Sequence, residues 1–415
     1  MVAFHFPPLA GGSGIQRTLR LVQQLPALGW QPLVLSANAR AYPETGTDLL
    51  AEVPPGTVVQ RAWALDAARH LAIRGRYPGW LARPDRWVSW QWAGVRDGLR
   101  LIQTYQPQVI WSTYPLATAH LIGARLQQLS GLPWVADFRD PMAQDGYPAD
   151  PRLWRSFKRI EMRAMQQAAC CVFTTPGAAQ TYRQRYPAAA SSIRVVENGF
   201  DEASFAGLDA AAGALNPGRL TLLHSGLVYP SERDPSQLFA ALAWVFQAGL
   251  LARDAVRLRF RAAQHEALLN HLATQHGVRD VIELCPPLPY RQALHEMLRA
   301  DALLVMQAAN CNAQIPAKLY EYLRAGRPIL ALTDPAGDTA ATLRAAGIHA
   351  LAALDNAADM ARVLPQFFAD LALGRAGLPD PLAVVAASRQ SRAQQMALLL
   401  DEVLARPASQ PAASR

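Results

Sequence analysis

The chain has 415 residues, of which 51% are hydrophobic and 17% charged, so it holds material for about two packed cores and is neither disordered nor fibrous. Its formal net charge of +8 favours anionic partners such as nucleotides, phospholipid surfaces or diphosphate-linked substrates; nucleic acid is the weakest of these, because the arginines are scattered rather than clustered. Cys170, Cys171, Cys285 and Cys311 form no C-x-x-C pair, which argues against structural zinc and a secreted disulfide scaffold and points to a reducing cytoplasm.

The opening reads as strand, loop, helix. Val2–Phe6 is a short apolar run ended by Pro7-Pro8, and Gly11-Gly12-Ser13-Gly14 makes a tight loop. Ile15, Leu19, Val22, Leu25 and Leu28 then recur at helical spacing as far as Gly29, and Leu33–Leu35 is the next strand. Such a β-loop-α-β order begins a parallel doubly wound sheet. The first strand is short, and further residues upstream of Met1 are expected. No basic region precedes it, so a signal peptide is not expected. No stretch reaches the roughly 18 apolar residues of a membrane span.

Further strands are predicted at Val109–Trp111, Trp134–Ala136, Cys171–Phe173 and Ile193–Val196, with helices over Leu116–Leu129 and Gly177–Tyr186. Residues 202–218, rich in Ala, Gly and Asp, read as a linker. A second series follows at Leu220–Leu223, Val256–Phe260, Val281–Leu284, Ala302–Val305 and Pro328–Leu332, and one amphipathic helix over Leu382–Leu404 closes the chain. The expected organisation is a domain over 1–201, the linker 202–218, a domain over 219–381 and a final helix within 382–405 that packs back towards the first domain. In α/β sheets of this kind ligands bind beyond the carboxyl ends of the strands.

Several residues stand out at those ends. The glycine loop lacks the third glycine of a dinucleotide fingerprint, since Arg17 stands there, but glycines before a helix start suit an anion. His120, one turn into its helix, is expected to point into the cleft. Asp137-Phe138-Arg139-Asp140-Pro141 ends an apolar strand, where Asp137 and Arg139 can face a polar ligand while Asp140 orients the arginine. His224-Ser225-Gly226 ends the first strand of the second domain, and Arg233 follows at a helix start, a poor place for a cation unless an anion sits there too. Only two of the 40 basic residues are lysines, Lys158 and Lys318. Lys318 falls in the first turn of a helix begun by Pro316, again against the dipole. Glu321 lies on the same face one turn later, where a carboxylate can accept both hydroxyls of a ribose. Nine of the ten tryptophans precede residue 155, and Trp80, Trp87, Trp90 and Trp92 lie near Arg76, Arg83 and Arg86, a pairing that suits a membrane interface or the packing of the first core.

Pro7-Pro8 with the glycine loop and Gln16-Arg17, Asp137-Phe138-Arg139-Asp140-Pro141, Asn198-Gly199-Phe200-Asp201, and Pro316-x-Lys318-x-x-Glu321-Tyr322-x-x-x-Gly326-x-Pro328 together resemble the bacterial glycosyltransferases of family 4. The resemblance implies a GT-B fold, two Rossmann-like doubly wound parallel-sheet domains facing across a cleft. It implies a sugar transferred from a nucleotide-sugar donor to a glycan or lipid-linked acceptor, with retention and without a cofactor or metal. By the same resemblance Gly12 and Gly14 approach the donor diphosphate, Arg233 and Lys318 neutralise it beside Gly226, Glu321 holds the ribose, His120 lies near the reacting sugar, and Asn198 lies at the domain crossing. Surface polysaccharide or glycolipid synthesis follows as the role, at the cytoplasmic face of a membrane held by loose contact with anionic lipid. Two departures are visible. Ala313 stands where the family commonly has the first glutamate of Glu-x7-Glu, and Leu227 follows Gly226 where the family often has arginine. A nucleotide-sugar epimerase on the same fold, or a non-catalytic scaffold, are the alternatives; the first needs carboxylates in the cleft, and retention of Lys318 and Glu321 argues against the second.

Overall fold

Parallel strands buried on both faces read as continuous apolar runs, and the central strands of both units are made that way. The computed structural model describes residues 1–11, 14–209 and 213–406. The chain divides into two units, Met1–Glu197 with Gln390–Arg415, and Asn198–Arg389.

The first unit contains β1 (Leu33–Ala37), β2 (Val58–Ala62), β3 (Ile110–Thr113), β4 (Trp134–Arg139), β5 (Cys170–Phe173) and β6 (Ile193–Val195). They run in the order β2-β1, then β3-β4-β5-β6, with every pair parallel. Met1–Ala3 closes the gap between β1 and β3. Val2 bridges both Leu35 and Ser112, its N–H donating to Trp111 O at 2.7 Å while Ala3 N donates to Leu35 O at 3.0 Å. The expected strand over Val2–Phe6 is therefore only a bridge. Phe6 N–H turns back onto Phe4 O at 2.9 Å, so the chain leaves the sheet before Pro7-Pro8. Counted with this bridge, the spatial order is third, second, first, fourth, which is the Rossmann order.

The helix Trp90–Tyr105, which the sequence did not announce, packs on the helix Ala117–Ser130. Gly94 and Gly98 make that approach: a Cβ on them would lie 2.6 Å from Ile122 Cδ1 and 2.8 Å from Leu126 Cδ1. Trp90 is fully buried in this core, whereas Trp80 and Trp92 are 66% and 82% exposed. Met396 and Leu400 of the last helix join Ala3, Trp111 and Val135 in a further apolar cluster.

The second unit contains β7 (Leu220–Ser225), β8 (Val256–Arg261), β9 (Ile282–Cys285), β10 (Ala302–Gln307), β11 (Ile329–Thr333) and β12 (Leu351–Ala352). The order is β12-β11-β10-β7-β8-β9, again all parallel and again the Rossmann order. The strand order reverses direction between β7 and β10. Within the expected linker 202–218, residues 202–206 pack on the second unit. Phe205 is buried in this unit's core with Phe200, and Glu202 pairs with Arg324, so burial of an aromatic ring ties the segment down. The two compact units divide at Glu197/Asn198.

The single helix expected over Leu382–Leu404 is two, Pro381–Ala386 and Arg389–Ala405. Between them Ala387 O accepts from Phe200 N at 3.1 Å and Arg389 N donates to Phe200 O at 2.8 Å, a bridge that takes the backbone out of the helical ladder. Gly199 permits it, because a Cβ there would lie 2.6 Å from Ala387 O.

Candidate active site

In the first unit, the polar residues at the carboxyl end of the sheet form a buried cluster. Arg17, on the helix Gly14–Gln24, grips Asp137 with two hydrogen bonds of 2.9 and 2.8 Å and reaches Glu197 O at 3.1 Å. Thr113 Oγ1 donates to the same carboxylate at 2.9 Å. Asp137 is fully buried. Contrary to expectation it does not face a ligand; its charge is consumed by Arg17, as a buried carboxylate requires. Arg139, at positive φ (61°), turns its guanidinium onto Gly14 O at 3.1 Å and Tyr114 O at 3.5 Å. Those carbonyls orient it, not Asp140, which is exposed. Burial and the neighbouring Arg17 lower the Arg139 pKa. Its Nε is buried without a hydrogen-bond partner. His5 lies beside Gly14 and Arg139, and burial with the Arg139 charge lowers its pKa to about 4, so it is neutral. Gly12 lies outside the described residues.

Contrary to expectation, His120 faces the core. It is fully buried on the inner face of its helix, its Nδ1 2.8 Å from Ser112 Oγ, which also accepts Trp134 Nε1–H at 2.8 Å. Its ring lies 4.8 Å from that of Phe138, and burial lowers its pKa to about 4. It is a packing histidine, closed off by the aromatic side chains around it.

The second unit gathers its expected residues. Lys318, at the start of the helix Lys318–Ala325 after β10, places Nζ 3.1 Å from Nε2 of His224, at the end of β7. The pair thus straddles the point where the strand order reverses. His224 Nδ1 lies 3.0 Å from Leu304 O, which accepts a proton only from Nδ1–H; Nε2 is then the acceptor for the ammonium. Burial and the Lys318 charge hold the His224 pKa well below its usual value, consistent with this neutral tautomer. One ammonium hydrogen is spent on His224, leaving others for a ligand.

Gly226 follows, with φ 115°, and a Cβ on it would come 3.0 Å from Lys318 Nζ. Only glycine leaves the ammonium accessible there. Arg233 donates to Leu227 O at 3.2 Å, lies over the Tyr229 ring, and keeps a buried Nε without a partner. Burial, then the Arg233 charge, lowers the Lys318 pKa to about 7, with Glu321 opposing. Two cations thus face one site and repel each other, a conflict that a bound polyanion removes. Glu321 accepts Tyr290 Oη–H at 2.8 Å, and burial raises its pKa. Tyr322 Oη accepts Ser225 N–H at 2.8 Å and so fixes the end of β7. Asn198 is the first residue of this unit, beside the bridge at Ala387.

His224, Tyr290, Tyr322 and His5 were not assigned from the sequence. The sequence marks His224 only as the end of an apolar strand before Ser225-Gly226, without a partner. No local pattern marks Tyr290 as the partner of Glu321. Among the described residues, no group of three or more His, Cys, Asp or Glu is placed to hold a metal ion, and no helix is long and apolar enough to cross a membrane.

Two Rossmann-like sheets, the second carrying a cationic cradle at its reversal point, define the class: the chain has the GT-B fold of glycosyltransferases. Residues 12–199 match the family described as glycosyl transferase 4-like domain. The chain is similar to sucrose-phosphate synthase from Thermosynechococcus elongatus, with 16% identity, a TM-score of 0.64, and coverage of 97% of this chain and 98% of that one. It is also similar to Anabaena HepE in complex with UDP and glucose (14% identity, TM-score 0.62, 96% and 98% covered). A third similar structure is the lipopolysaccharide outer core galactosyltransferase WaaB (11% identity, TM-score 0.60, 96% and 98% covered). No curated protein sequence matches this one.

Proposed function

We propose that the protein moves a sugar from a nucleoside-diphosphate sugar, held by its second unit, to a hydroxyl of a glycan or lipid-linked acceptor in surface polysaccharide or glycolipid synthesis. The observation that carries this reading is the Lys318–His224–Gly226–Arg233 cradle with Glu321 one helical turn away. The cations suit a diphosphate and the carboxylate suits a ribose. Support comes from HepE, a structural neighbour solved with UDP and with UDP-glucose.

The chemistry follows from charge. The acceptor oxygen bonds to the anomeric carbon as the bond from that carbon to the phosphate oxygen breaks. The electron pair leaves with the nucleoside diphosphate, and the hydroxyl proton passes to the departing phosphate oxygen. Retention is the stereochemical course of this front-side exchange. Lys318 and Arg233 are preorganised where the negative charge grows, which lowers the barrier. In this reading they supply the neutralising charge themselves, and turnover persists in EDTA. For an epimerase reading, Asp137 is withdrawn as a cleft carboxylate, because it is buried against Arg17.

The proposal extends to loose contact of the first unit with anionic membrane, at the cytoplasmic face. It is supported by the exposure of Trp80 and Trp92. The rings available for a headgroup layer are these, and not Trp90 or the half-buried Trp87, whose Nε1 donates to Ala41 O. The test of the whole reading is incubation with UDP-, GDP- and ADP-sugars plus a membrane extract. Nucleotide release that depends on extract and survives EDTA is expected; release from none of the donors overturns it.

A further inference from the structure

Glu321 carries a hydrogen bond within the protein. Its Oε1 accepts the phenol hydrogen of Tyr290 at 2.8 Å. The two residues come from different parts of the sheet. Tyr290 begins the helix that follows β9 and the stretch Pro286-Pro287-Leu288-Pro289, while Glu321 lies on the helix that follows β10. These helices pack together, which brings the phenol to the carboxylate. Tyr290 is 48% exposed, so the bond is made at a surface that a solute can reach.

A phenol O–H and a ribose O–H are the same kind of donor, and a carboxylate that bridges a vicinal diol needs both of its oxygens. The hydrogen bond from Tyr290 to Oε1 therefore takes one of the acceptor positions that the diol would use. Resting on the reading of Glu321 as the ribose acceptor, we propose that Tyr290 is a stand-in for a ribose hydroxyl, bonded to Glu321 in the free protein and displaced when a nucleoside diphosphate binds. The phenol keeps a carboxylate paired that burial would otherwise penalise, and it discriminates against ligands that cannot replace its bond. A nucleotide with both ribose hydroxyls satisfies Glu321 after displacement. One without them leaves the carboxylate to the tyrosine and gains nothing at this position.

The competition has a measurable size. Apparent affinity is reduced by the fraction of protein in which the acceptor is free, and an accessible hydrogen bond of this type holds that fraction to about a third to a tenth. The experiment is calorimetric titration of the full chain with whichever of UDP, GDP and ADP binds most tightly, and with its 2′,3′-dideoxy counterpart. Wild type, Tyr290→Phe and Glu321→Ala are compared, with thermal unfolding as a control for the fold. The expected result is that Tyr290→Phe tightens the ribonucleotide about three- to tenfold and leaves the dideoxynucleotide unchanged. Unchanged or weaker ribonucleotide binding in Tyr290→Phe overturns the stand-in role; weaker binding makes the phenol a direct ligand contact. Glu321→Ala tests the underlying reading separately. If it does not narrow the gap between the two nucleotides, Glu321 is not the ribose acceptor and the proposal falls with it.

Discussion

Replacing Lys318 by methionine is expected to stabilise the ligand-free protein while removing its response to donor. The ammonium sits half-buried beside Arg233, and burial with that charge brings its pKa from 10.5 to about 7. At pH 7 the unfolded chain holds this proton fully and the folded protein only half the time. The difference corresponds to about 4 kcal/mol of lost stability. Methionine has a similar stem and no charge, but it leaves His224 Nε2 without its donor, which costs about 1–3 kcal/mol. A net gain of about 1–3 kcal/mol at pH 7 results. The pH dependence is the sharper signature. The folded protein binds fewer protons at this site than the unfolded chain between pH 7 and 10.5, so wild-type stability rises with pH there. The advantage of Lys318→Met accordingly shrinks by about 1.4 kcal/mol per pH unit above 7 and is constant below it. Scanning calorimetry of both proteins from pH 6 to 10, read on the transition of the second unit, measures this. Saturating nucleotide adds the binding term to wild type alone. A mutant less stable than wild type at pH 7, or a difference that stays flat with pH, refutes the argument.

Other perturbations have distinct readouts. Asp137→Asn leaves Arg17 buried without its counter-charge and is expected to cost about 3–5 kcal/mol in chemical unfolding of the first unit; a loss below 1 kcal/mol contradicts the buried pair. Gly226→Ala places a methyl group 3.0 Å from Lys318 Nζ at φ 115°. Nucleotide affinity should fall at least tenfold by calorimetry, a loss of about 1.4 kcal/mol; retained affinity would free the ammonium from this approach. Trp90→Ala should lose about 3–5 kcal/mol of stability. Trp92→Ala should stay within about 0.5 kcal/mol of wild type and instead reduce co-sedimentation with anionic vesicles at low salt. Equal sedimentation of wild type and Trp92→Ala removes that ring from membrane contact.

What the sequence made legible follows from which signals are local. Strands such as Ala302–Gln307 and Leu220–Ser225 were readable because a parallel strand covered on both faces has no polar alternation to confuse it. Val58–Ala62 was not, because Gln60 and Arg61 interrupt the run of this edge strand. The helix Trp90–Tyr105 was hidden by Gly94 and Gly98, which weaken helix propensity yet are required by the helix packed on them. Lys318 could be found because a cation at a helix start conflicts with the dipole, and that conflict is written in the sequence, whereas Arg233 lies just outside the helix Ser236–Gln247. His120 was misjudged for the opposite reason: sequence gives its turn in the helix but not which side faces the core. The pairings Arg17–Asp137, His224–Lys318 and Tyr290–Glu321 span 120, 94 and 31 residues, and only the folded sheet order brings them together.

The central claim is that the second unit binds the donor diphosphate through Lys318. Its most direct test is calorimetric titration of UDP, GDP and ADP into the full chain and into Lys318→Ala at pH 7. At least one nucleoside diphosphate should bind wild type, and its affinity should fall about 10- to 150-fold in the mutant, as expected for a lost charge-assisted contact of about 1.5–3 kcal/mol. Binding of equal strength to both proteins, or of no nucleotide to wild type, would contradict the account.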